Sequence, residues 1–382
     1  MRTLYDDIRS PKKNVGWKTL LPPAVCAAAA LALIGLFQLT KGNRAAMNWF
    51  IQNVTDPFKE GVSWLCDRVP FAVAEVLWVL ALLAFLVFFF RTIWLLIRRE
   101  GRLFRLCRRL LALFAALAFV YCGYTVLWGV NYYGDSFSDR SGIETRGVSV
   151  DELVTLNAAF VQELNRYAGQ VERDENGVFC EDLDAIFANT EGLYEGVTAE
   201  FPFLAGPERI PKRMVSSPIM SRLDFTGFFF PFTAETLLND DSPACLIPAT
   251  ILHETAHQRG IAGEDECNFV AILAGLRCDD PVYIYSAALL GYIHLGNALY
   301  SADADAYWEI RGQLNRQVNA DLAANNAYWG QFDTKLDQAM ESVSTTVYEG
   351  FLHSYGQTEG KRSYGMCVDL LAAYYFDHKW AE

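Results

Sequence analysis

Three uninterrupted apolar runs fill the first third of the chain, and they limit what the rest can be. They cover residues 20–40, 71–90 with a possible continuation to 97, and 110–130. A helix needs about 20 apolar residues to cross roughly 30 Å of hydrocarbon, and each run reaches that length. The first is too long for a cleaved leader, and two more follow it. The sequence therefore predicts an integral membrane protein with the lipid bilayer as a partner.

Lysine and arginine in the flanks set the expected orientation. The tail before the first run holds Arg2, Arg9, Lys12, Lys13 and Lys18. The segment between the first two runs holds Lys41, Arg44, Lys59 and Arg68. The short segment between the second and third holds seven arginines, Arg91, Arg98, Arg99, Arg102, Arg105, Arg108 and Arg109. That segment is expected on the cytoplasmic side. The predicted organisation is then a cytoplasmic tail at 1–19, three spans within 20–130 and an extracytoplasmic domain at 131–382.

The expected outer part carries 16 lysines and arginines against 38 acids, a formal charge of −22. Such a surface repels nucleic acid and anionic lipid, so no nucleic-acid partner is expected. Five of the nine cysteines fall in it, an odd number, and no CxxC occurs. They read as small buried hydrophobes rather than a disulfide framework or a sulfur-rich metal site.

Within 131–382, Ser149 followed by Glu152 reads as a capping box opening a helix. Asn176-Gly177 reads as a turn. The stretch 225–232 is rich in Phe and Thr and favours strand, with Pro231 placing it at a sheet edge. Ser242-Pro243 offers a cap for the helix that follows, although Pro248 leaves its start open, and Gly260 offers a stop. A second helix is expected from Glu264 to Arg277. The apolar stretch 282–300 reads as a domain helix, and 304–347 and 364–376 as helical. One mostly helical α+β domain results.

The chemistry centres on "ILHETAHQRGIAGEDE" at 251–266. Only five histidines occur, and His253 and His257 stand four apart, on one face of a helix. Two imidazoles so placed suit one zinc ion, and Glu254 beside them suits a general base acting on its water. The competing reading is a chance HExxH on an amphipathic helix. A third ligand is expected from the acids that follow. Glu264 and Glu266 point to opposite sides of a helix, so only one reaches the ion; Glu264 is preferred, with Glu266 second. In the glutamate class of zinc proteases an Asp four residues past the third ligand braces a ligand histidine, and Asn268 stands there here. A related class places its third ligand where this chain has Gly263, which offers no side chain. The strand at 225–232 suits pairing with an extended peptide. Tyr283, Tyr285 and His294 are candidate oxyanion donors, more simply read as packing. Glu75 lies inside the second run, near its outer end.

The chain resembles a family of bacterial membrane proteins known as domain of unknown function 3810. The residues that carry this are "WGVNYY", "FFFPFTAE", "HETAHQRGIAGEDECNF", "YSAALLGY" and "EGKRSYGMCVDLLAAYY". The resemblance implies an HExxH membrane protein of bacterial origin and brings no substrate. The combined expectation is three N-terminal transmembrane helices plus a zincin-like extracytoplasmic domain in a bacterial plasma membrane. Zn2+ would be held by His253, His257 and Glu264, with a protein or peptide as substrate. The alternative is a non-catalytic sensor, scaffold or assembly protein with a structural metal. Intact Glu254 favours the enzyme, and a fourth protein ligand such as His294 or Glu266 would favour the alternative.

Overall fold

A computed structural model describes residues 17–98, 101–332 and 364–379, together with 334, 338, 341–342 and 345–346. Arg2, Arg9, Lys12, Lys13 and Arg99, several positions after 332 in the expected helical stretch 304–347, and the 359–363 part of the closing motif lie outside the described residues. The chain packs into two compact units, one of Met1–Asn43 with Val76–Val126 and one of Arg44–Glu75 with Leu127–Glu382.

The first unit rests on three long helices, Leu21–Thr40, Val73–Arg98 and Arg102–Leu127, the second entering it at Val76. Their apolar windows are only 11%, 6% and 22% buried. Side chains such as Leu39, Leu80 and Leu117 stand exposed, as expected where lipid rather than protein is the solvent. The first and third of these helices meet through small residues, Ala30, Ala118 and Cys122, with the Cys122 thiol donating to the Ala30 carbonyl at 3.5 Å. A fourth helix, Pro281–Ala302, is also long and apolar enough to cross a membrane, but 72% of its window is buried. It is the central helix of the second unit.

In that unit Pro281–Ala302 packs on Val150–Tyr167, Glu264–Arg277 and Ile247–Gln258. Ser149 and Glu152 form the reciprocal cap that starts Val150–Tyr167, and Leu156, Phe160 and Leu164 turn its apolar stripe inward. Glycines allow the closest crossings. A Cβ on Gly275 would overlap Ala287 Cβ and stand 3.0 Å from the Tyr283 carbonyl oxygen, both on the central helix. Gly275→Ala is therefore expected to push two helices apart and cost about 1–3 kcal/mol of stability. Thermal unfolding of the variant beside wild type checks this, and an unchanged midpoint would refute the crossing.

Three short strands form one sheet in the order β1–β3–β2, with β1 Lys212–Arg213, β2 Gly227–Phe230 and β3 Glu235–Leu238. β3 is central and fully buried; it runs parallel to β1 and antiparallel to β2. β2 is an edge strand and stops before Pro231, which has no amide to donate.

Residues 44–75, between the first two apolar runs, are part of this second unit. They form helices Arg44–Phe50 and Asp56–Cys66 with a π-helical turn between them. Arg44 pairs with Asp139 at 2.9 Å, and Asn48 donates to Asp135 at 2.7 Å. Buried Glu235 of β3 accepts from the amides of Val73 and Ala74 at 3.0 and 2.9 Å, capping the helix that begins there. Lys212 of β1 completes the knot, bonding Glu235 at 2.7 Å and the Cys66 carbonyl at 2.7 Å. Glu75, in the first turn of the same helix, accepts from the amides of Val215 and Ser216. Glu75 is thus an acid at a helix start, satisfied by backbone donors, near the end of the run as its position in the sequence suggested.

Candidate metal centre

The helix Ile247–Gln258 carries the HExxH residues. It does not begin on Ser242, whose hydroxyl donates instead to the Asn239 carbonyl at 2.7 Å. A 3-10 turn, Ala244–Leu246, intervenes, and Pro248 sits in the first turn, where a missing amide costs nothing. The helix ends at Gly260, whose φ of +89° only glycine adopts cheaply. The reversal delivers the next helix, Glu264–Arg277, back across the first.

That return brings three groups together. His253 Nε2 lies 3.2 Å from Glu264 Oε2, and His257 Nε2 lies 3.4 Å from the same oxygen. The other nitrogen of each ring is held from behind. His257 Nδ1 lies 2.9 Å from the Ile261 carbonyl oxygen, which can only accept, so Nδ1 carries a proton and, whenever the ring is neutral, Nε2 is the nitrogen left with the lone pair. His253 Nδ1 lies 2.8 Å from Asn268 Oδ1, which fixes that ring the same way. Asn268 thus stands behind His253, the place assigned to it from its spacing to Glu264. The Glu264 side chain is 36% exposed against 14% for His253 and 9% for His257, so the cluster opens towards Glu264.

Glu254, the residue after His253, is almost wholly buried and lies within electrostatic reach of His253, His257 and Glu264. Burial raises its pKa, opposed by the charges of His253 and His257 and helped by Glu264. The Phe229 backbone amide donates to its carboxylate, while Oε2 is buried with no partner among the described residues. β2 approaches the helix closely here. A Cβ on Gly227 would sit 3.0 Å from Thr250 Cγ2 and 3.1 Å from Glu254 Oε1.

Burial disfavours charge on both His257 and Glu264, but their neighbours outweigh it. His257 is driven well above the usual histidine range by Cys267 and Glu264, and Glu264 well below the carboxylate range by the two histidines. Without a cation the cluster holds itself together as an imidazolium–carboxylate pair.

Sequence reasoning missed two neighbours. Ligand atoms of His253, His257 and Cys267 lie within 4.8 Å of one another, so a His-His-Cys set is the other grouping available. Cys267 Sγ, however, meets His257 at Nδ1, 3.2 Å away, behind the edge that faces Glu264. Burial pushes its thiol up to about 12, so it stays protonated and donates to the Ile261 carbonyl. Cys267 thus stands behind the edge on which His257 meets the Glu264 oxygen shared with His253. Trp128 packs edge-on against His257 at 5.6 Å between ring centroids and also meets Phe229. No spacing rule announces a contact across 129 positions.

The remaining candidates fall elsewhere. Glu266 accepts from the amides of Phe137 and Ser138 at 3.0 Å each and caps the helix Phe137–Ser141, away from the histidine pair. Tyr283 donates to the Ile186 carbonyl and Tyr285 to Asp321, so both are tied into the core. His294 is buried near His253; burial first, then the charge on His253, lowers it to about 4, so it is neutral near pH 7. The nine cysteines form no disulfide, and five of them are buried.

A family model described as a protein of unknown function, DUF3810, matches residues 50–372. That span runs from the helices before the second apolar run through the histidine pair to the C-terminal helix Tyr364–Ala372. No curated protein and no solved structure matches the chain.

Proposed function

The chain belongs to the DUF3810 family, whose description assigns no activity, and from its own residues we propose that it is a membrane-anchored zinc metalloprotease. The observation that carries this is the convergence of His253 Nε2 and His257 Nε2 on one Glu264 oxygen. Ligands 2.0–2.2 Å from one tetrahedral zinc stand roughly 3.3–3.5 Å apart, so 3.2 and 3.4 Å fit such an ion. The donor set, two neutral imidazoles and a carboxylate, is that of catalytic zinc and leaves a position open. Bound zinc would polarise a carbonyl and bring the pKa of its water towards ~7.

The chain supplies the rest. Asn268 and the Ile261 carbonyl orient the two imidazoles. Glu254, its pKa raised by burial, takes a proton from the attacking water and returns it to the leaving amine. The Phe229 amide holds the carboxylate in place for both transfers. Edge strand β2 runs beside the motif helix and would seat an extended peptide by strand addition. Three apolar helices would span a bacterial plasma membrane, with the arginine-rich stretch 91–109 cytoplasmic and the second unit outside. The alternative, a structural metal in a sensor or scaffold, needs a fourth protein ligand; Glu266 is already committed to a helix cap, which leaves His294, buried near His253, as the group whose ligation would favour it.

Elemental analysis of the purified full chain tests the proposal. One zinc per wild-type chain, lost in His253→Ala, is expected. A folded wild-type chain purified without chelators that contains no metal would overturn it. Asn268→Ala should keep the fold and weaken zinc binding by about 10–100-fold, because the brace rather than a ligand is removed. Competition against a chelating dye measures this, and unchanged affinity would show that Asn268 does not orient His253.

A further inference from the structure

The helix Asp56–Cys66 of the second unit is turned inside out. Its buried side chains are Lys59, Ser63 and Cys66. Its exposed ones include Phe58, Trp64 and Leu65, the last two 53% and 62% exposed. A helix whose outer face meets water points its polar stripe outward, and this one points it inward. The inward polar groups are satisfied: Lys59 Nζ lies 2.9 Å from Asp56, and the Ser63 hydroxyl donates to the Glu60 carbonyl at 3.1 Å. The helix is also pinned to its unit. The Cys66 carbonyl accepts from Lys212 Nζ at 2.7 Å, and Asp67, the next residue, pairs with Arg209 at 3.1 Å. These bonds fix which face looks out.

A second exposed apolar group belongs to the same unit. Val215, three residues after Lys212, is 89% exposed, and Ile219 on the helix Ser217–Arg222 is exposed as well. Glu75 holds that turn through the amides of Val215 and Ser216 and the Ser216 hydroxyl. Glu75 itself lies in the first turn of Val73–Arg98, an apolar helix long enough to cross a membrane. The tether says what covers these side chains. Segment 44–75 joins Leu21–Thr40 at one end and Val73–Arg98 at the other. Thr40 and Arg44 are four Cα steps apart, at most about 14 Å of chain, so a bilayer that holds the first helix is within reach. Trp64 carries the Arg68 guanidinium over its ring at 3.6 Å. An indole with a cation above it suits the boundary between acyl chains and phosphates. The formal charge of −22 on 131–382 disfavours anionic lipid, so the attraction must be apolar.

We propose that the Phe58–Trp64–Leu65 face and the Val215–Ile219 turn are lipid-docking surfaces, sunk in the boundary between headgroups and acyl chains. The proposal rests on the apolar helices lying in a bilayer and needs neither zinc nor hydrolysis. Photocrosslinking of the full chain tests it, with p-benzoylphenylalanine replacing Trp64, Val215, Leu80 or Glu163 in four separate proteins. Each is reconstituted into vesicles of phosphatidylethanolamine and phosphatidylglycerol, irradiated, and read by mass spectrometry. All four positions are exposed, so the label leaves the core intact. Lipid adducts are expected at 64, 215 and 80, and none at 163. The yield at 64 should stay within about twofold when phosphatidylcholine replaces phosphatidylglycerol, because apolar burial needs no lipid charge. Adducts at 80 but at neither 64 nor 215 would overturn the docking surfaces and leave the membrane spans standing. Adducts to a second copy of the chain in place of lipid at 64 and 215 would also overturn them. So would lipid labelling at 163 equal to that at 64, or a yield at 64 lost with the anionic lipid. No lipid adduct at any position would sink the spans as well. None of these outcomes touches the zinc site, which metal content decides.

Discussion

Glu254→Gln is expected to reduce peptide-bond hydrolysis by about 10²–10⁴-fold, the usual worth of a positioned general base, with zinc still at one per chain. The amide has the size of the carboxylate, so the close approach of Gly227 is kept. What is lost is the ability to accept a proton. His253→Ala should differ in kind, because it removes a ligand and takes zinc and activity together. The comparison needs a quenched-fluorescent peptide library on the full chain in detergent, with metal content measured on the same samples. Unaltered cleavage in the glutamine variant would remove Glu254 from the mechanism. Cleavage that survives in His253→Ala would remove the metal.

Asp321→Ala is expected to lose about 3–5 kcal/mol of stability while leaving zinc binding intact. Asp321 is fully buried and holds three donors at once. Arg173 Nη1 reaches Oδ2 at 2.6 Å, the Phe179 amide reaches Oδ1 at 2.7 Å, and the Tyr285 hydroxyl donates to Oδ2. Alanine there strands a guanidinium that is only 9% exposed and an amide that is buried. A lone buried charge costs far more than the pair was worth. Chemical denaturation in detergent, beside an exposed control such as Glu163→Ala, measures the difference. Equal midpoints would mean that water reaches Arg173 once Asp321 is gone.

Asp321 also shows why parts of this molecule were legible in the sequence and others were not. Local rules carried well. The Ser149–Glu152 cap depends on residues three apart, and both partners close it as expected. His253, His257, Glu264 and Asn268 lie within sixteen positions, so helix periodicity and one glycine turn suffice to aim them together. Glu266 fails the same logic because its partners, Phe137 and Ser138, lie almost 130 positions away. Residues 44–75 read as a connector between two apolar runs, since nothing local marks Arg44 for Asp139 or Val73 for Glu235. Pairings of that separation are decided by tertiary packing, and a single chain carries no record of them. The apolar stretch Pro281–Ala302 differs from the three N-terminal runs in its His294, Asn297 and small residues, which suit close helix packing, and 72% of its apolar window is buried.

Gly227 joins two parts of the site into one mechanical coordinate. Its missing side chain lets β2 rest on Thr250 and Glu254, and two residues on the same strand holds the Glu254 carboxylate through the Phe229 amide. The strand that would seat a peptide and the group that would act on it therefore cannot be adjusted separately. A shift of the strand is a shift of the base. Drift in one is paid at once in the other, so substrate preference in such a centre is free to vary only through the side chains along β2, never through the path of its backbone.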